Sequence, residues 1–345
     1  MANVPPPLLA LDTYSGAHAL VTGGLGFIGS HVAKRLVELG AEVTIVDSLI
    51  PEYGGNPFNI REIEDRVRVN YSDIRDPWSI QHLVRGKDFI FNLAGQVSHI
   101  DSMEDPATDL AINCTAQLSL LEALRHNNPR ARVVFAASRQ QYGRPQSVPV
   151  KEDHPQVPVD VNGINLIAGE SYHLLYNDVY GIPACSLRLT NTYGPHLLMK
   201  HGRQGFISVF IKLALEGSPI QVFGDGSQLR DFTYVDDVVE AFLLAGLSDE
   251  TAGRAFNVGG IEPVSLLSVA RMCQAIAGAG GEVKLAPWPP EREKIDIGSI
   301  YVDHSLLTET VGWTPTVGLE AGLERTIDFY RRHGEHYVAT NRREA

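Results

Sequence analysis

Short apolar runs alternate with amphipathic stretches along the first half of the chain. Ala19 to Thr22 is an apolar strand pattern running into a glycine turn. Ile28 to Leu39 carries helical periodicity and stops at Gly40, and Glu42 to Val46 is a second strand. Further strand patterns fall at Val67 to Val69, Phe89 to Leu93, Val133 to Ala136 and Ala184 to Leu189, with helical patterns between several of them. This alternation predicts an α/β fold, a doubly wound parallel sheet with helices on both faces. After Tyr193-Gly194-Pro195 the composition changes: the stretch to Gly205 is rich in Gly, His and basic residues, as in a loop over a site. Phe206 to Leu215, Val235 to Leu247 and Leu319 to Tyr330 then read as helices, with a Pro-rich stretch from Ala286 to Pro290 before the last. The expected organisation is a Pro-containing tail over 1–16, a main domain over 17–195 and a smaller α/β C-terminal lobe over 196–345, segments of which return to the main sheet.

The turn after the first strand, Thr22-Gly23-Gly24-Leu25-Gly26-Phe27-Ile28-Gly29, brings chemistry into this pattern. Between a strand and a helix N-terminus, glycines let backbone N–H groups approach a pyrophosphate, because no β-carbon stands in the way. Asp47 ends the next strand, where a carboxylate accepts hydrogen bonds from an adenosine ribose. The unit from about His18 to Asp47 is therefore a Rossmann βαβ dinucleotide site. The carboxylate would repel the extra phosphate of NADP and no arginine follows it directly, so the expected cofactor is NAD. A tight turn without a ligand is the competing reading.

Charge narrows the partners. The 345 residues carry 29 Lys+Arg against 41 Asp+Glu, a formal charge of -12, and no basic run, which opposes a non-specific grip on nucleic acid or an anionic membrane. No apolar run is long enough to span a bilayer. Cys114, Cys185 and Cys273 stand far apart with no CxxC pair, which argues against a disulfide framework or a metal site. The first residues lack the basic flank and apolar core of a secretory signal, so the expected location is the cytoplasm.

Further motifs follow in order: Asp73-Ile74, Asn92-Leu93-Ala94-Gly95, Asn113, Leu187 to Pro195, Val222 to Gly226, Arg230-Asp231-Phe232, Tyr234 to Asp237 and Phe256 to Gly260. With the glycine turn, they make the sequence resemble the extended short-chain dehydrogenase/reductase superfamily, in particular its nucleotide-sugar epimerases and dehydratases, over nearly its whole length. The resemblance implies a nucleotide-sugar substrate between the two lobes. It implies NAD contacts at Gly23, Gly26, Phe27, Ile28, Gly29, Asp47, Asp73, Ile74, Leu93, Ala94, Gly95 and Asn113, and substrate-pyrophosphate contacts at Asn191, Arg230 and Arg292. Guanidinium groups suit that role chemically, although Arg230 could instead pair with Asp231 or Asp236. A homodimer through the helices around Asp109 to Arg125 and Asn165 to Tyr180 is also implied.

The catalytic centre departs from the family pattern of Ser or Thr, Tyr, and Lys four residues after the Tyr. Ser138 matches the first member, but alignment on Glu170 and Leu187 to Pro195 puts Asn162 at the tyrosine and Leu166 at the lysine. No register rescues the pair: the residues four before the seven lysines are Ser30, Leu83, Ser147, His196, Ser208, Gly280 and Pro290. Asn162 does not titrate usefully and Leu166 carries no charge or donor. Arg139 and Gln140 occupy the places of the Asp-Glu pair of hexose 4,6-dehydratases, which disfavours ordinary dehydration. Candidate catalytic residues are thus Ser138, Arg139, Gln140 and Asn162. Tyr142, His99, Tyr172, His173 and His201 are further groups able to move a proton, none fixed by spacing and each more readily explained as packing or surface. The leading expectation is an epimerase working by transient hydride transfer with an altered acid/base centre. A binding protein with little catalysis, or an oxidoreductase or dehydratase, stand as alternatives. On the binding-protein reading, restoring Tyr at 162 and Lys at 166 should raise hydride transfer.

Overall fold

The computed structural model describes residues 10–200, 205–289 and 296–337. Its first strands are β1 (His18–Thr22), β2 (Glu42–Val46), β3 (Val67–Asn70), β4 (Phe89–Asn92), β5 (Arg132–Ser138) and β6 (Ala184–Leu189). A short β7 (Asn191–Tyr193) follows. Ile220–Phe223 is β8, Leu229–Arg230 is β9, Phe232–Tyr234 is β10 and Ala255–Val258 is β11. Seven strands pair in parallel in the order β11-β6-β5-β4-β1-β2-β3. The main sheet therefore takes its edge strand β11 from beyond residue 196. The doubly wound α/β class expected from the sequence is present.

Each central strand is apolar on both sides because each side meets helices. In β1, Ala19 and Val21 enter one core with α1 (Phe27–Glu38), whose Val32, Ala33 and Leu36 are buried there, while Leu20 enters a second core on the opposite face. That second core holds Leu120, Leu121 and Leu124 of the helix Ala116–Asn127. A third core packs Ile207, Phe210 and Ile211 against Leu323 and Ile327 around Tyr193 and Tyr234. Three two-strand pairings, β10 with β7, β9 with Val264–Ser265 and β8 with Val283–Ala286, connect that lobe. No helix among the described residues is long and apolar enough to cross a membrane.

Strand order places the site. Because β1 lies between β2 and β4, successive connections leave it in opposite directions, and the C-terminal ends of the strands part into a crevice. Thr22 ends β1 there, Asn92 ends β4 and Ser138 ends β5.

Candidate active site

The glycine turn is built as a cradle. Gly23 has φ +67°, in the left-handed region that glycine enters without strain. A β-carbon on Gly29 would lie 2.2 Å from the Gly23 carbonyl oxygen, so no larger residue fits that turn of α1. No side chain caps α1 at Gly26, which leaves its first N–H groups, beside Phe27 and Ile28, for an anion. Asp47 accepts from Leu25 N at 3.0 Å and Leu49 N at 2.8 Å, so it also ties the turn to the end of β2. Burial pushes its carboxyl pKa up, opposed by those two N–H bonds. Thr22 Oγ1 donates to Asn92 Oδ1 at 2.8 Å and accepts from Leu93 N and Ala94 N, both at 3.0 Å, fixing the floor under Gly95. Asn113 sits in a π-helical turn (Ala111–Thr115), a local widening that occurs often at functional sites. Its side chain bonds both Gln96 N, at 3.1 Å, and Gln96 O, at 2.8 Å. Asp73 pairs with Arg75 at 2.6 Å, with Ile74 buried behind it. These residues fit the pyrophosphate and ribose of a dinucleotide.

At the end of β5, Ser138 Oγ accepts from Gln140 N at 3.2 Å, capping a short 3-10 turn (Arg139–Tyr142). Among the described residues that hydroxyl donates no bond. Arg139 Nη2 reaches Asn191 Oδ1 at 3.3 Å while Nη1 is buried without a partner. Arg230 donates from Nη1 to Leu229 O and Gly298 O, and its Nε is likewise buried and unpartnered. Neither guanidinium forms an ion pair among the described residues, so the expected alternative of an Arg230 pair with Asp231 or Asp236 is not realised. Asp236 feels Arg325 instead. Burial, and after it like-charge repulsion from Arg139, lower the Arg230 pKa to about 10, opposed by Asp296 and Asp231. The two cations are near enough to repel each other, each keeps an unpartnered N–H, and the buried Asp231 carboxyl acts on both. Arg292 and His201 lie outside the described residues.

Asn162 and Leu166 are well accommodated on the helix Val161–Tyr180. Asn162 Nδ2 donates to Gln96 O at 2.7 Å and Asp109 Oδ2 at 2.9 Å, and Asn165 Nδ2 donates to Asp109 Oδ1 at 2.7 Å. The Asn162 Oδ1 is buried without a partner. Leu166 packs with Phe135 and Ala137. Asp109 and Asn165 were not among the sequence candidates. The i, i+3 spacing of the two asparagines puts them on one helix face and was readable, but the acid they share lies more than fifty residues earlier.

Of the remaining proton-moving candidates, Tyr142 is fully buried. Its hydroxyl donates to Asn257 Oδ1 at 2.7 Å and accepts from Arg188 Nη1 at 2.8 Å, and burial pushes its pKa up to about 12. His173 stacks on Phe135 and bonds Gly169 O at 2.7 Å, and burial pushes its pKa down to about 4. Tyr172 packs against the second core. His99 differs: its Nδ1 bonds Asp160 Oδ2, and its Nε2 lies 2.7 Å from Gln140 Nε2.

Comparison with known proteins agrees with this geometry. Residues 19–259 match the family described as "NAD dependent epimerase/dehydratase family". The UDP-glucose 4-epimerase of Mycolicibacterium smegmatis is 34% identical over 323 residues, covering 92% of this chain and 99% of that protein. The crystal structure of UDP-glucose 4-epimerase with UDP-glucose from Thermotoga maritima superposes with a TM-score of 0.83 at 30% identity, over 92% of this chain and 99% of that one. The Thermus thermophilus UDP-glucose 4-epimerase in complex with NAD gives a TM-score of 0.81 at 32% identity, over 91% and 99%. With the dinucleotide cradle, the sheet order and the matched length in accord, the chain belongs to the NAD-dependent epimerase/dehydratase family.

Proposed function

We propose that this protein is an NAD-dependent epimerase of nucleotide sugars. The observation that carries the reading is the pair of buried guanidiniums, Arg139 and Arg230, each with an N–H left without a partner, beside Asn191. A diphosphate would accept from those free N–H groups, which the neighbouring Asp231 does not bond. NAD, when bound, supplies a reversible hydride acceptor for a sugar carbon. Gly23, Gly26, Phe27, Ile28 and Gly29 would hold its pyrophosphate, Asp47 a ribose, Asp73 and Ile74 the adenine end, and Leu93, Ala94, Gly95 and Asn113 the floor. Ser138 would face the reacting sugar hydroxyl. The cofactor would rest mainly on residues 17–195, with the nucleotide sugar completed by residues 196–345.

The test is incubation with a panel of UDP-hexoses and UDP-hexuronates, read by NMR, beside calorimetric binding of NAD+ and UDP. A new epimer without net change in nicotinamide absorbance supports the reading. Binding without any product supports the second reading, a nucleotide-sugar-binding protein, which the exchange of a titratable centre for the Asn162–Asp109–Asn165 network favours. We also propose a homodimer. Leu110, Ile164, Leu175 and Val179 are exposed at 47–59%, and the last three recur on one face of Val161–Tyr180. Sedimentation velocity should give a species of twice the chain mass, shifted toward monomer by Leu175→Glu with Val179→Glu.

A further inference from the structure

We infer that His99, oriented by Asp160, is the acid/base group of this enzyme, replacing the absent tyrosine and lysine. The inference rests on the epimerase reading above and adds the residue that moves the proton.

At 162 and 166 stand an amide and an alkyl chain, and the amide nitrogen of Asn162 is already committed to Asp109 and Gln96. Neither can take a proton from a sugar hydroxyl. Tyr142 and His173 are fully buried in structural contacts. His99, by contrast, opens the helix His99–Glu104 directly after the β4 loop, and a third of its side chain is exposed. It reaches the end of β5 through Gln140, whose backbone N–H bonds the Ser138 hydroxyl.

The partners of the imidazole set its tautomer. Asp160 is buried at the start of the helix Val161–Tyr180, with Oδ1 accepting from Gly163 N at 2.7 Å and Oδ2 on His99 Nδ1. A carboxylate accepts, so Nδ1 carries the hydrogen and the Nε2 lone pair is left as the base. The Gln140 amide donating to Nε2 agrees with that assignment, and the buried Gln140 Oε1 has no partner of its own. Burial raises the Asp160 pKa, but the bond to His99 and the Gly163 N–H outweigh it, leaving the carboxyl below its ordinary value and ionised. Arg139 also favours the Asp160 carboxylate.

In the step, a sugar hydroxyl would take the place of the Gln140 amide at Nε2. Its O–H bond breaks, the proton goes to Nε2, and the oxygen electron pair forms the carbonyl; NAD, when bound, would supply the acceptor for the hydride leaving the same carbon and return it to the other face. His99 then gives the proton from Nε2 back to oxygen, which regenerates the imidazole and completes the inversion. His99 is catalytic in this scheme, and Asp160 is a positioning residue.

The test uses the full chain, with His99→Gln and Asp160→Ser. Serine retains a good helix cap while removing the carboxylate, so the second variant keeps its fold if the first does not. His99→Gln should lower kcat by about 10²- to 10⁴-fold, the usual weight of a general acid/base, with the calorimetric Kd for UDP within twofold. In 15N-labelled protein, the His99 imidazole should show the Nδ1–H tautomer in the parent, lose that fixed tautomer in Asp160→Ser, and respond to added UDP-glucose. A His99→Gln enzyme within threefold of the parent kcat overturns the inference, as does a His99 tautomer indifferent to Asp160→Ser. A parent that binds NAD+ and UDP but converts no sugar overturns it too. A parent that binds neither cofactor nor UDP overturns the epimerase reading itself, which separates the two failures.

Discussion

Replacing Asn162 by alanine tests whether the altered centre is a built network or a decayed one. Asp109 is fully buried and its two oxygens have one side-chain donor each, Asn162 on Oδ2 and Asn165 on Oδ1. Asn162→Ala leaves one oxygen of a buried carboxylate bare. A hydrogen bond to a charged group contributes about 1.5–3 kcal/mol. Gln96 O also loses a donor, though it keeps Asn113 Nδ2. Together the loss is about 2–4 kcal/mol. An unfolding entropy of roughly 2 cal/mol/K per residue over 345 residues converts this to a fall in Tm of about 3–6 °C. Differential scanning calorimetry measures it directly. Asn165→Ala should cost a similar amount, and the double variant should depart from additivity by more than about 0.5 kcal/mol because both amides serve one carboxylate. A Tm within 1 °C of the parent for Asn162→Ala, or strict additivity, would refute the network.

Restoring the family pair with Asn162→Tyr and Leu166→Lys should lower Tm and fail to raise hydride transfer. Both sites are buried, Asp109 would lose an amide, and the ammonium would enter the apolar contacts of Phe135 and Ala137. Hydride transfer that rises at unchanged Tm would contradict this. Gly29→Ala should weaken NAD+ binding at least tenfold in calorimetry, because its β-carbon meets the Gly23 carbonyl and opens the turn. Arg139→Met and Arg230→Met should each weaken UDP binding by roughly ten- to a hundredfold, the weight of a charge-assisted hydrogen bond, and reduce its salt dependence. Acid stability should depend on His173, whose pKa is pushed down to about 4 by burial. The unfolded chain then binds the proton more readily, so stability is full above about pH 6.5 and is lost as pH falls toward 4, by roughly 3 kcal/mol. His173→Gln should flatten that decline in pH-dependent melting curves.

The sequence by itself determined the fold class and the family's cofactor, NAD. The glycine turn, Asp47 and the motif at Asn92 to Gly95 are local in the chain, and a parallel sheet converts local order into position because every strand ends in the same crevice. Strand and helix boundaries shifted by only a few residues: the last helix, for example, runs Leu319–His333 rather than to Tyr330. That no tyrosine stands four residues before any lysine was also legible. The partners of Asn162 and His99 were not. Asp109 meets Asn162 and Asn165 across more than fifty residues, and His99 meets Asp160 across 61. Only the packing of the helix Val161–Tyr180 against the loop after β4 brings those groups within bonding distance. A lone histidine in the sequence has no partner geometry, and the carboxylate that His99 meets is supplied by the tertiary fold.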